Sequence, residues 1–422
     1  MSIPAIAAPR GTRDYLEQDG GALLSCIDTH RQVSSLFGYR PVITPIFEST
    51  ELFERGTGTG TDVVEKEMYT FMDRGDRSLA LRPEGTPSVI RALVGDPAVR
   101  DIRPYRAQYD GPMFRYDRPQ KGRYREFHQV GVEVLGVREP NIDVEVLHVA
   151  WETFSALGIM NVDIRLNSLG DREDRLRYRD ELLAYYTPLR DELCEDCKRR
   201  LETNPLRLLD CKTDAKYVAA APVLLDGLAH DTRTYFHDVQ EGLRAEGIPF
   251  TVDPRIVRGL DYYCDTTFEF WHSSLNGAQN ALGGGGRYDG LAEVLGLPST
   301  PGVGYALGVE RLMGIRSEEG NFHPRMSPTV LVLALDSGSS TYARSCAKEL
   351  RAAAIPTALD LAQGKMDKRF RWCERMGIAW CIMCGEDELQ DKQVTLRNLQ
   401  DRTQERLGIA DCIARLAALR ED

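Results

Sequence analysis

No stretch of the 422 residues approaches the roughly 18 consecutive apolar side chains that a membrane-spanning helix needs. The opening MSIPAIAAPRGTRDY lacks both the basic start and the long apolar core of a secretory signal, so a cytoplasmic protein with no membrane attachment is expected. Without such a signal, the ten cysteines read as buried thiols or metal ligands rather than disulfides. There is no GxxxxGK[ST], which excludes a P-loop, and the seven histidines form neither HxxxH nor HExxH, which leaves metallopeptidase chemistry unsupported. The run Gly302-Val-Gly304-Tyr-Ala-Leu-Gly308 has the wrong glycine spacing for a dinucleotide fingerprint and lies far from any opening βαβ unit. Cys194 and Cys197 have C-x2-C spacing and Cys211 follows, but a fourth ligand is missing at the usual spacing, so no metal site is assigned. Cys381 and Cys384 lie three apart in an apolar strand, on opposite faces, and are expected in the core.

What is present describes a folded globular chain: 42% of residues are hydrophobic and 28% charged, and the length favours two or three domains. The net charge of −11 argues against a nonspecific coat for nucleic acid. Its distribution is uneven. Residues 327–422 hold 14 basic and 14 acidic side chains, so the whole excess of acid falls on residues 1–326. Within that acidic part, Arg100 to Arg125 carries eight basic and three acidic residues, a local cationic patch.

A half-apolar stretch from Asp19 to Phe37, closed by Gly38, predicts a helix feeding the β-like PVITPIFE. Short strand-like runs over Tyr69–Leu81 and Tyr105–Leu135, separated by polar turns, predict an antiparallel meander rather than regular βαβ units. From about Asp171 to Gly247, Leu, Ala, Arg and Glu recur with helical periodicity, as in an inserted helical module. Strand character returns at Thr266–Trp271, and Ser317–Pro328 reads as a linker. Beyond it, β-α-β-α-β-β alternation predicts a small α/β domain, giving expected domains of 1–325 and 326–422.

The most informative stretch is YDGPMFRYDRPQKGRYREFHQVGVEVL, Tyr109 to Leu135, two strand-like runs flanking a cationic loop. Alternation on the second run puts Val130, Val132 and Val134 on a core face and Gln129, Gly131 and Glu133 on the other. Gly131 would leave a bare floor between an amide and a carboxylate about 13 Å apart at Cα, where a small ligand could lie. Arg115, the Arg82–Thr86 turn with Glu84, the Arg258–Tyr263 segment and Arg311 add charged and aromatic groups that gain meaning from their combination and order.

These segments together resemble the histidyl-tRNA synthetases, a class II aminoacyl-tRNA synthetase family, over essentially the whole chain. PRGTRDY resembles their N-terminal signature, Pro41–Phe53 motif 1, FRYDRPQKGRYREFHQVGVEVLG motif 2 and GVGYALGVERL motif 3. RIVRGLDYYCDTTFEF and GGGGRYDGL resemble the two histidine-specific segments. The resemblance implies an α+β catalytic domain on a mixed, mainly antiparallel sheet of six strands, with a helical insertion, a C-terminal α/β anticodon-binding domain, and a homodimer formed through motif 1. It implies ATP as substrate with Mg²⁺ across the β- and γ-phosphates, and histidine and tRNA(His) as the other partners. Arg115 would grip the α-phosphate, Arg311 the γ-phosphate, and Arg123 would also meet ATP. Arg258 would touch the histidine carboxylate and the α-phosphate and, with Arg115, act in catalysis. Glu84, Gly85, Thr86 and Gln129 would surround the amino end of histidine, with Glu133 and Tyr263 reading the imidazole. Whether Tyr262 or Tyr263 touches the ligand would depend on a bend at Gly259. Arg118, Gln120 and Arg123 would meet the tRNA acceptor end. Regulatory relatives of this fold act without aminoacylation, one as a subunit for the first enzyme of histidine biosynthesis and another as a sensor of uncharged tRNA. The intact Arg258–Tyr263 segment and the C-terminal domain favour the ligase.

Overall fold

A computed structural model of the chain describes residues 5–58, 61–118, 123–256, 260–275, 281–318, 330–360 and 364–418. They form two compact units, Met1–Phe322 and His323–Asp422.

The first unit is built on an eight-stranded sheet. Its central six strands, in the order Tyr105–Phe114, Glu126–Leu135, Gly302–Gly308, Ala281–Arg287, Cys264–His272 and Val162–Ser168, are all antiparallel to their neighbours. Two-residue strands, Arg40–Pro41 and Thr251–Val252, join the edges in parallel, which makes the sheet mixed. Val130, Val132 and Val134 are completely buried on one face, as the alternation requires, under the helices Glu17–Leu36, Pro140–Ala156 and Val309–Glu318. The first of these helices buries Leu23, Ile27, His30 and Ser34, a stripe at helical spacing. It stops where Gly38 takes φ +81° and the Tyr39 N–H returns to the Ser34 carbonyl. The opposite face carries Gln129, Gly131 and Glu133.

Helical character continues from Arg172 to Ala245, but these helices do not form one module. Arg172–Tyr186, Glu195–Thr203, Ala215–Ala220 and the short 3₁₀ turns between them share a core around Tyr178, Leu182, Tyr186, Cys197 and Leu208. The last helix, His230–Ala245, instead packs on Pro140–Ala156 and puts Tyr235, Phe236, Val239 and Leu243 into the main core. The insertion expected over about 171–247 therefore ends before His230. The cause is a second apolar stripe, Phe236, Val239 and Leu243, that faces the sheet's helical layer.

In the second unit, Thr357–Asp360, Val330–Ala334 and Trp380–Cys384 run parallel, and Gln393–Asn398 and Gln404–Gly408 extend the sheet in antiparallel fashion. Every residue of Val330–Ala334 is buried, as expected for a central strand covered on both faces. Cys381 and Cys384 are fully buried in two different apolar clusters, one on each side of the sheet.

Candidate active site

On the glycine-bearing side of the first unit's sheet lies a cavity of about 620 Å³, within the range of small-molecule sites. Its floor includes Gly283, Gly284, Ala306 and Gly308, where neighbouring strands run nearly side-chain free. Glycine inside a strand weakens it, and here it leaves the backbone open to a flat ligand.

Three arginines in the lining act on one another. Arg115 is fixed by its Nε–H to the Pro83 carbonyl at 2.9 Å and lies over the Phe127 ring at 5.5 Å. Arg123 pairs with Asp117 at 2.8 Å. Arg311 enters where the Gly302–Gly308 strand passes directly into the Val309–Glu318 helix, and donates to the Ala281 carbonyl. Burial, followed by the nearby charges of Arg123 and Arg115, lowers the Arg311 pKa to about 10. Three guanidiniums held within mutual repulsion make this part of the lining suited to a polyanion.

The lining also holds acidic and aromatic groups. Glu84 accepts from Thr57 Oγ1 at 3.0 Å and from the Tyr262 hydroxyl at 2.8 Å. Gly85 must be glycine: a Cβ there would lie 2.2 Å from the Tyr109 ring. Thr86 begins the Thr86–Gly95 helix and lines the wall. Gln129 also lines the cavity, and its buried Oε1 has no hydrogen-bond partner among the described residues, an acceptor suited to a ligand's N–H. Tyr262 and Tyr263 both face the cavity, with ring centroids 4.6 Å apart. They escape strand alternation because they precede the Cys264–His272 strand, in a turn.

Two expectations change. The floor over Gly131 is not bare, because Tyr109 stands directly opposite in the strand pairing and its ring fills the space; a Cβ on Gly131 would lie 2.6 Å from that hydroxyl. Glu133 is fully buried beneath and does not line the cavity. Its oxygens accept from Thr86 Oγ1 at 2.7 Å and from the Tyr288 hydroxyl, and burial raises its pKa to about 8, leaving it protonated at neutral pH. Alternation placed Glu133 on the correct face; the cross-strand tyrosine that covers it could not be read from one strand.

Of the other predicted residues, Arg118 is exposed away from the lining, with its N–H on Asp117 Oδ1 at 2.6 Å. Arg258 and Gln120 lie outside the described residues. Sequence reasoning missed Tyr109 and Tyr288, and also Glu310, which sits in the cavity wall and accepts from the His128 backbone N–H at 2.9 Å and the Tyr15 hydroxyl at 2.7 Å. The signal for Glu310 was its place beside Arg311.

A six-stranded antiparallel sheet with this cavity, joined in one chain to a separate α/β unit, is the architecture of a class II aminoacyl-tRNA synthetase. The histidyl-tRNA synthetase family model matches residues 11–170 and 204–312, and an anticodon binding domain model matches 329–419. The histidine–tRNA ligase of Halothermothrix orenii is 42% identical over 417 residues, covering 98% of this chain and 99% of that protein. That of Moorella thermoacetica is 44% identical over 405 residues, covering 95% and 96%. The crystal structure of apo histidyl-tRNA synthetase from S. aureus matches with a TM-score of 0.81 at 33% identity, over 98% of this chain and 100% of that one. The chain belongs to the histidyl-tRNA synthetase family.

Proposed function

We propose that the cavity carries out both steps of histidine–tRNA ligation. The chain is an aminoacyl-tRNA ligase whose substrates are histidine, ATP and tRNA. In the first step a histidine carboxylate oxygen attacks the ATP α-phosphorus, and the bond to pyrophosphate breaks. In the second, the terminal ribose hydroxyl of tRNA(His) attacks the acyl carbon, and AMP leaves. The observation that carries this assignment is the convergence of Arg115, Arg123 and Arg311 in one cavity whose lining also holds Glu84, Gln129 and two tyrosines.

Arg115 is assigned to the α-phosphate, Arg311 to the γ-phosphate and Arg123 to ATP, through fork-shaped charge-assisted hydrogen bonds. Glu84, Gly85, Thr86 and the Gln129 acceptor are assigned to the amino end of histidine, and Tyr262 and Tyr263 to the ring end. Glu133 serves the imidazole pocket from below by holding Thr86 and Tyr288. Arg258 is assigned the catalytic charge at the α-phosphate; Ile256 and Leu260, which flank it in the sequence, line the cavity. Mg²⁺ accompanies ATP, and the carboxylates of Glu269 and Glu310, beside Arg311 in the lining, are hard oxygen donors of the kind it takes. Arg118, Gln120 and Arg123 are assigned to the acceptor end of tRNA, and residues 326–422 to its anticodon. The reaction is placed in the cytoplasm. ATP–pyrophosphate exchange is expected with histidine and none of the other standard amino acids, and its absence at saturating histidine and Mg²⁺ would promote the regulatory reading.

The same reading includes a homodimer. Ile43, Ile46, Phe47, Phe71 and Met72 are exposed on and beside the small sheet of Phe47–Ser49, Ser78–Leu81 and Thr70–Met72, with Phe47 and Phe71 in edge contact at 6.4 Å. Apolar side chains grouped this way mark an interface. Phe47→Glu should yield a monomer in sedimentation analysis with impaired exchange; a dimer of unchanged mass would place the interface elsewhere.

A further inference from the structure

The insertion contains a cluster that the ligation reaction does not use. Cys194, Cys197, Cys211 and Asp214 have ligand atoms all within 4.8 Å of one another. The fourth member is a carboxylate rather than a cysteine or histidine. With Asp214 included the pattern is C-x2-C-x13-C-x2-D, two short knuckles separated by 13 residues. The structure brings the knuckles together because the Glu195–Thr203 helix and the Pro205–Asp210 turn fold the chain back on itself.

We propose that these four residues bind one zinc ion in a structural Cys₃Asp site. Tetrahedral zinc with bonds of about 2.3 Å to sulfur sets ligand sulfurs about 3.8 Å apart, and sulfur and carboxylate oxygen about 3.6 Å apart. The Cys194 and Cys211 sulfurs are 3.8 Å apart, and Cys211 Sγ lies 3.7 Å from Asp214 Oδ2. A disulfide requires about 2.05 Å, and all ten cysteines are free thiols. The backbone supports charged sulfur at Cys211, where the Asp214 N–H donates to Sγ at 3.3 Å. Asp214 is itself oriented by the Cys194 N–H, at 3.0 Å from Oδ2. By contrast, the nearby grouping of Cys264, Asp265 and Asp289 has both carboxylates paired with Arg138, so it offers no comparable place for a cation.

Binding would release three thiol protons to solvent and leave the zinc bonded to three thiolates and one carboxylate, with no redox change. The site ties the Glu195–Thr203 helix to the Cys211–Asp214 turn in a small helical core. Lys212, inside that turn, lines the catalytic cavity, so the metal also steadies part of its wall.

The full chain, expressed with added zinc and purified without chelators, should retain about one zinc per chain by elemental analysis. Its cobalt-substituted form should show the intense ligand-field and sulfur-to-cobalt charge-transfer bands of a thiolate-rich tetrahedral site. Cys211→Ser should lose both signals. Because that variant could misfold, Asp214→Asn is the second arm: with helical circular dichroism unchanged, its zinc affinity should fall by more than about 10-fold. Wild-type protein that takes up neither zinc nor cobalt would overturn the proposal, as would zinc content indifferent to both substitutions. So would two fewer free thiols in the unreduced, denatured wild type, since that would identify a Cys194–Cys211 disulfide.

Discussion

The two sheets of this molecule solve opposite problems. In Val330–Ala334 every residue is buried and apolar, and apolar clusters cover the sheet on both faces. In the first unit the strands Ala281–Arg287 and Gly302–Gly308 give up side chains at seven positions, and the space released becomes cavity floor or room for buried polar groups. A Cβ on Gly304 would lie within bonding distance of the Glu133 carboxylate. The second sheet fills both faces of its central strand with packed apolar side chains, whereas the first trades packing for a place where backbone, carboxylates and arginines can surround substrate.

The largest way to break the contrast is to remove charge from the cavity. Arg258→Ala should lower the histidine-dependent exchange rate by roughly 10²–10³, as deletion of a preorganised charge stabiliser does elsewhere. Near-normal turnover would mean that Arg258 is misassigned. In the second sheet, Leu333→Ala should destabilise that unit by about 2–5 kcal/mol in denaturant unfolding and leave exchange by the folded protein unchanged. Loss of exchange there would mean that the two units share more than a chain. Gly304→Ala adds one methyl group where a carboxylate and the Val132 carbonyl already stand; about 1–3 kcal/mol of overpacking is expected, with adenylate formation reduced as Glu133 is displaced. Thermal unfolding beside exchange kinetics would show whether the strand has the slack to absorb it.

The smallest effect is the most specific. Glu133 has its folded pKa raised from 4.5 to about 8, so the native state keeps a proton that the unfolded chain loses. Its contribution to stability is complete below about pH 4.5 and is lost as pH rises through about 8. Glu133→Gln removes the titration, so the variant's stability relative to wild type should rise with pH across that interval, while the amide nitrogen, unable to accept from Thr86 or Tyr288, loosens the wall they form and raises the KM for histidine more than that for ATP. A constant stability difference across the interval, or equal changes in both KM values, would place Glu133 outside this role. His30 acts with the opposite sign. Buried against the Tyr305 hydroxyl at 3.1 Å, its pKa falls from 6.5 to about 3, so the stability it contributes above pH 6.5 drains away as pH falls toward 3.

Much of the site was legible because its grammar is local. Period-two alternation put Val130, Val132 and Val134 in the core and their neighbours on the functional face, and the strand-to-helix passage at Gly308 positions Arg311 as expected. What escaped depends on pairing between distant segments. Tyr109 covers Gly131 only because the hairpin register sets them opposite, and Tyr288 reaches Glu133 from 155 residues away. Likewise, helical periodicity over Asp171–Gly247 could not show that the stripe on His230–Ala245 belongs to the main core, because periodicity says which side of a helix is apolar and not what meets it.

The division of labour between the sheets is tested most directly by ending the chain at Arg325 and measuring exchange, tRNA charging and dimer mass on one preparation. The account predicts a soluble dimer that still forms histidyl-adenylate at close to the full-length rate but charges tRNA poorly, chiefly through weaker tRNA binding. Charging at the full-length rate, or loss of exchange together with aggregation, would contradict it.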